Sequence, residues 1–499
     1  MKQRSLLSST ALGLVLGLSL GGCGDDAASE DDDLSDSGQP STADDAGASA
    51  GDASLDAAQP SLDATTPSSP AADAAQTDGS APPGAGMAGS EGFLLVAELA
   101  DGKESIHAYS LPDLRHTGQL DGVKLGNHVG ALALRDGRVI TTDDKNQQVI
   151  AVRMDAAGKP TIANRVAADL GTGGVWGCGD ADLRYLAIAS GREGTAPQVA
   201  NVVSLSDFTN TPLEVPMNVI DGASEELHPA VAGNPLHLFA GVGGEVRAYP
   251  LDAVLARRAP APVASVTINT GSHGPVVSHT RGVLYITAAA GTGFDGVMTQ
   301  APFARTELIP WDIGDRTTGR NSRPRLSPDG RYIYGAIART EPAGAELWAT
   351  REVDLQAVDL ETRSPRRTVL TTGIVSRFQI SRRYALFANV TAAGDFAILV
   401  DVEPGSSTFQ QVVARIALPR LTNGPVAGQP TTGKEAHASA ITPDGKWAFV
   451  SHGGEGKVSV IDTAQKRVVG TIRTPTTLAG GGYLFALQPG SAPLESCMR

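Results

Sequence analysis

Four histidines stand at matching places in the chain. His128, His228, His273 and His437 open the segments HVGALALRDGRVIT, HPAVAGNPLHLFAG, HGPVVSHTRGVLYIT and HASAITPDGKWAFVS. Each starts a short apolar run that leads into a turn and a second apolar run. Two of them have a carboxylate two residues upstream, in Glu226-Leu227-His228 and Glu435-Ala436-His437. In extended chain, residues i and i+2 point to one face, so each carboxylate can orient its imidazole or join it as a ligand. Imidazole nitrogens with carboxylate or water suit a borderline cation, and zinc is the commonest. The competing expectation is structural, with each ring hydrogen-bonded to water or to neighbouring backbone. Of the other histidines, His107, His116 and His237 fall at other strand positions and receive no role. His279 follows a first strand, and His452, ending a second strand, is an additional candidate beside His437.

The elements that must position these residues form a repeat. From Phe93 onward, strand or turn signals follow one another with few helix signals, which indicates an all-β chain. His437 to Thr474 reads as four strands, HASAIT, KWAFVSH, KVSVIDT and KRVVGTI, with turns at Pro443-Asp444-Gly445 and Gly453-Gly454-Glu455-Gly456. Equivalent first strands begin near His128, Val175, His228, His273, Ser322, Ser376 and His437, at spacings of 47, 53, 45, 49, 54 and 61 residues. A recurring four-stranded unit of that length is a propeller blade. Phe93 to Leu120 supplies three strands with no first strand before them, and Tyr483 to Leu487 supplies one with no blade after it. Joining them makes a composite closing blade, so the expected fold is an eight-bladed β-propeller, with seven blades as the alternative. The first residues of the innermost strands then meet at one mouth of the central channel.

The repeats SPDGRY and TPDGKWAFVS, with KVSVIDTAQKRVVGTI, resemble the YVTN type of β-propeller over nearly all of residues 93 to 488. Histidines opening the inner strands in NHVGALAL, SHGPVVS and EAHASAITPDG look like the periplasmic zinc chaperones of the AztD family. That resemblance implies zinc bound by channel histidines and passed to a transporter's solute-binding protein. The chain departs from that pattern in carrying a lipidation motif and a long tether, and its acidic tether holds no histidine.

Residues 1–23 have Lys2 and Arg4, an apolar run from Leu12 to Leu20, and the ending Leu20-Gly21-Gly22-Cys23, a signal peptide of bacterial lipoprotein type. Cys23 is the expected lipid anchor, and Gly24 after it favours the outer membrane. Residues 24–92 hold 15 of the chain's 54 acidic residues and no Lys, Arg or aromatic residue, which predicts a disordered tether. Residues 93–499, the propeller domain, keep 38 basic and 39 acidic groups, so the net charge of −14 belongs to the tether. Nothing basic invites nucleic acid. Cys178 and Cys497 remain in an oxidising compartment, either as a disulfide or as two thiols.

Residues 93–499 contain no Gly-x-Ser-x-Gly elbow, phosphate-binding loop or His-Glu-x-x-His helix. The expectation is therefore a monomeric, lipid-anchored, zinc-binding envelope propeller with no catalytic residues. An interaction scaffold and a metal-dependent hydrolase or lactonase, the latter drawing on Asn127, Asp143 and Asp144, are the alternatives.

Overall fold

A computed structural model of the chain describes residues 91–98, 104–125, 130–175, 177–191, 197–220, 223–224, 227–269, 273–287, 293–306, 308–311, 319–321, 324–339, 349–422, 424, 437–478, 482–491 and 493–498. Residues 1–90, with Cys23 and nearly all of the expected tether, lie outside them, whereas Gly92, expected as the last tether residue, opens a strand.

Eight antiparallel sheets follow one another as an eight-bladed β-propeller. Blade 1 spans residues 132–167, blade 2 residues 174–215, blade 3 residues 228–267 and blade 4 residues 273–310. Blade 5 spans residues 319–372, blade 6 residues 374–418 and blade 7 residues 439–473. All seven expected first strands are found. In blade 7 they lead into Trp447–His452, Lys457–Asp462 and Arg467–Arg473. The turn residues act as their types require. Thr442 Oγ1 donates to Asp444 Oδ1 at 2.7 Å, Lys446 N donates to the same oxygen at 3.0 Å, and Gly445 takes φ 77°. Ser327, Asp329 and Gly330 build the same turn in blade 5.

Blade 8 is composite. Tyr483–Leu487 pairs antiparallel with Gly92–Ala97, which pairs with Ser105–Leu111, followed by His116–Asp121. The last strand of the chain thus takes the innermost place in the first blade to begin, and closure removes two sheet edges. Leu94, Val96, Leu484 and Ala486 pack there with Phe449 and Val460 of blade 7.

The chain then continues past the seam. Cys497 forms a disulfide with Cys178, 319 residues earlier. Gly179 N donates to Ser496 O at 2.8 Å, His279 Nε2 lies 2.9 Å from Ser496 Oγ, and Leu326 N donates to Glu495 Oε1 at 3.2 Å. These partners sit at the downstream ends of the inner strands of blades 2, 4 and 5, whereas the tail leaves from blade 8. It therefore spans the downstream end of the central opening as a strap. The inner-strand histidines lie at the upstream end. Inner strands of blades 2 and 3 also touch directly, with Val231 N donating to Cys178 O at 3.0 Å. Gly177 makes room for this, because a Cβ there would stand 2.0 Å from Ala187 O and 2.9 Å from Pro229 O. The only α-helix among the described residues, Leu251–Leu255, is far too short to cross a membrane.

Candidate functional site

His437 precedes the inner strand Ser439–Ile441, where the hairpin with Trp447–His452 is closed by side chain as well as backbone. Ala438 N donates to Ser451 Oγ at 2.7 Å, and Ser451 N donates to Ala438 O at 2.9 Å. The Ser451 carbonyl is thereby aimed at the His437 ring, 2.6 Å from Nδ1. A carbonyl only accepts, so Nδ1 carries the proton and Nε2 faces away from its own blade. Nε2 meets Asp395 Oδ2 at 3.1 Å. Asp395 lies near the start of Gly394–Asp401, the third strand of blade 6, and the same oxygen accepts the Leu421 amide at 2.9 Å.

His452 completes this cluster. Its ring stands edge-on to that of His437, with centroids 5.2 Å apart, and its Nε2 lies 2.8 Å from Ser459 Oγ. Burial, followed by the neighbouring His437, pulls the His452 pKa down to about 4, against the smaller opposing pull of Glu455 and Asp395. It is neutral at pH 7 and keeps a lone pair. Two atoms of this buried cluster have no hydrogen-bond partner among the described residues: Asp395 Oδ1 and His452 Nδ1. Such groups are costly to bury unless something else engages them. The cluster is therefore a neutral imidazole, a second imidazole and a carboxyl group at a blade seam, with one carboxyl oxygen and one ring nitrogen unpartnered. Among the described residues, no three His, Cys, Asp or Glu side chains stand in a ready-made metal geometry.

The other inner-strand histidines separate by register. His228 pairs with Gly241 and His273 with Thr287, each two residues beyond an aromatic of the second strand, Phe239 or Tyr285. His273 reaches that level through a bulge before Val276. In blade 7 the equivalent aromatic is Phe449, paired with Ala440, so the matching level falls at Ala438 and His437 stands one residue further upstream. His228 is buried. His128, Glu226 and Glu435 lie outside the described residues. Asp143 and Asp144, considered for a lactonase site, serve a turn in blade 1. Asp143 accepts Lys124 N and Asn146 Nδ2, and Asp144 accepts Thr142 Oγ1. Asn127 is outside the described residues.

Asp395 was not among the expected ligands. It is supplied from a neighbouring blade 42 residues upstream of His437, and no local pattern in sequence joins the two.

No protein-family model and no curated protein matches the sequence. Among solved structures, the chain is similar in fold to AztD from Citrobacter koseri. A crystal structure of that protein gives a TM-score of 0.56 and its apo form 0.55, each at 12% identity over 79% of this chain and 97% of that one. The dihydro-heme d1 dehydrogenase NirN, solved in complex with DHE, gives 0.50 at 15% identity over 80% of this chain and 75% of that one. The likeness is one of fold. Nearly the whole length of AztD is accommodated, and the part of this chain left over is comparable in length to residues 1–92.

Proposed function

We propose that this chain is an exported, lipid-anchored propeller that binds a divalent cation, zinc first, at its inner-strand histidines and handles or transfers it in the cell envelope. The observation that carries the reading is the Asp395–His437–His452 cluster, in which a buried carboxyl oxygen and a buried ring nitrogen have no hydrogen-bond partner among the described residues. A cation at His437 Nε2 would take the place of the proton between imidazole and carboxylate. His128, His228 and His273 on other inner strands would be the further donors, with Glu226 and Glu435 behind them. The likeness in fold to AztD, the family that the inner-strand motifs resemble, supports the same reading. Cys23 would hold the chain at the membrane, and a solute-binding protein of a zinc transporter is the partner such handling calls for.

The test is zinc stoichiometry and affinity of the purified mature chain by metal analysis and calorimetry. One tight zinc per chain is expected, weakened at least tenfold by His437→Ala and by His273→Ala. Absence of zinc uptake after mild chelation would remove the proposal and leave a scaffold. Zinc binding accompanied by turnover of esters or lactones would move it to the hydrolase reading.

A further inference from the structure

A second pair of imidazoles stands in the composite blade, away from the inner strands. His107 lies in its third strand and His116 opens its fourth. The register runs His107 with Gln119 and Ala108 with Gly118, then skips Thr117 so that Tyr109 faces His116. This bulge is pinned from blade 1, where Gly158 O accepts Thr117 Oγ1 at 2.6 Å. It returns His116 to the face of the sheet that carries His107, and His107 Nδ1 comes to lie 3.2 Å from His116 Nε2. Blades 1 and 7 have the same bulge but place Ile150 and Ile162, or Ser459 and Val468, at the two positions. The bulge belongs to the fold, and the histidine pair belongs to this blade.

Hydrogen-bond accounting fixes the state of the inner ring. Ser105 Oγ donates its one proton to Glu98 Oε2 at 2.9 Å and lies 2.9 Å from His107 Nε2, so it can only accept from that nitrogen. Nε2 therefore bears the proton, with Glu98 Oε2 also 3.5 Å away, and Nδ1 presents a lone pair to His116. Glu98, Ser105 and His107 are all buried, whereas His116 is exposed at the outermost strand.

At bond lengths of 2.0–2.1 Å, two nitrogens on one cation stand about 2.9 Å apart in the tetragonal geometry of Cu²⁺ and about 3.3 Å apart in the tetrahedral geometry of Zn²⁺, a range that contains the observed 3.2 Å. A buried carboxylate behind the outer nitrogen of a ligating histidine is the arrangement that orients such a ligand and raises its basicity. We propose that His107 Nδ1 and His116 Nε2 form a two-imidazole site for a borderline divalent cation, Cu²⁺ ahead of Zn²⁺, with water in the remaining positions. The order follows the general affinity sequence of nitrogen sites. On binding, His116 changes tautomer, its one ring proton passing from Nε2 to Nδ1 by way of solvent, so that the ring stays neutral and Nε2 is free to ligate. Access is direct, because His116 is open to solvent. Glu98 and Ser105 act as positioning residues, holding the His107 tautomer.

The probe is Cu²⁺ alone, titrated into the purified mature chain and followed by calorimetry and electron paramagnetic resonance. Nitrogen splitting from two imidazoles is expected, and His116→Ala, an exposed change, should abolish it and weaken that binding event at least tenfold. Glu98→Gln should keep the two-nitrogen spectrum but weaken binding severalfold. His437→Ala should leave this signal intact, so that failure here and failure at the inner strands are separate results. Unchanged copper affinity and spectrum in His116→Ala, or no nitrogen-ligated copper in the unaltered chain, would overturn the site.

Discussion

His437 Nε2 and Asp395 Oδ2 face each other at 3.1 Å across the seam of blades 6 and 7, and both side chains are fully buried. Because His437 Nδ1 is committed to the Ser451 carbonyl, these two acceptor atoms can approach only with one proton between them. The seam is thus held by a charge-assisted or acid–imidazole bond. Asp395→Ala leaves the imidazole and the Leu421 amide without their partner and should cost about 3–5 kcal/mol, the range for breaking a buried pair. Asp395→Asn can donate to Nε2 only by turning its amide nitrogen on the Leu421 N–H, so it keeps one of the two bonds and should cost less, while still removing the negative charge that a cation requires. Urea unfolding of the two variants, with zinc affinity measured in parallel, separates the roles. Equal destabilisation by both would show that charge, not hydrogen bonding, holds the seam.

His452 sets a pH dependence of stability. Its pKa falls from the ordinary 6.5 to about 4 in the fold, chiefly through burial. Between these values the unfolded chain binds more protons than the folded one, so stability rises with pH across that window and is lost as pH falls from 6.5 toward 4. The full loss is about 3 kcal/mol from this residue, at 1.36 kcal/mol per pKa unit. The downward shifts of His279 and His116, both led by burial, act with the same sign. Thermal melts of the unaltered chain from pH 4 to 8 should show this slope, and His452→Gln should flatten it. A slope untouched by that substitution would place the proton uptake elsewhere.

The C-terminal strap gives a third expectation. The Cys178–Cys497 bond joins residues 319 apart, so it constrains a long loop of the unfolded chain. Cys497→Ser should lower stability by about 2–4 kcal/mol. Residues after Leu487 should also become accessible to protease, because apart from the disulfide the tail is held by a few hydrogen bonds, from Ser496 to Gly179 and His279, from Glu495 to Leu326 and from Met498 to Gly177. Reduction should affect the unaltered chain alike and the variant not at all.

Much of this architecture is legible in the sequence because blades are local. Thr442-Pro443-Asp444-Gly445 builds its own turn whatever surrounds it, and each strand pairs with the next in the chain. The composite blade could also be read, since three orphan strands and one orphan strand leave one way to complete a ring. The site is less legible because it is built between blades and by register. A bulge at His273 sets it level with His228, whereas His437 has none and stands one residue off. Asp395 comes from a third strand with no signature, and Glu98 occupies in blade 8 the ladder place that His452 holds in blade 7. The His107–His116 pair had a usable signal. Two histidines flanking the turn at Pro112-Asp113 must lie on paired strands of one hairpin, but only the bulge at Thr117 brings His116, opposite Tyr109, onto the face of His107.

Closure itself provides the last test. Leu484 pairs with Val96 in the seam, and both are buried against blade 7 residues that include Phe449. Leu484→Ala removes apolar contact from a packed site and should cost about 2–4 kcal/mol while leaving the chain folded. Leu484→Asp places an unpaired carboxylate there, and the strand Tyr483–Leu487 can escape that burial by leaving the sheet. Gly92–Ala97 would then be a bare, wholly apolar edge, Gly-Phe-Leu-Leu-Val-Ala, and blade 7 would lose its neighbour. Such an edge recruits other chains. Size-exclusion chromatography should therefore show Leu484→Ala eluting as the unaltered chain does and Leu484→Asp shifting to large species. A monomeric, cooperatively folding Leu484→Asp would mean that the ring is held shut by the strap and not by the seam.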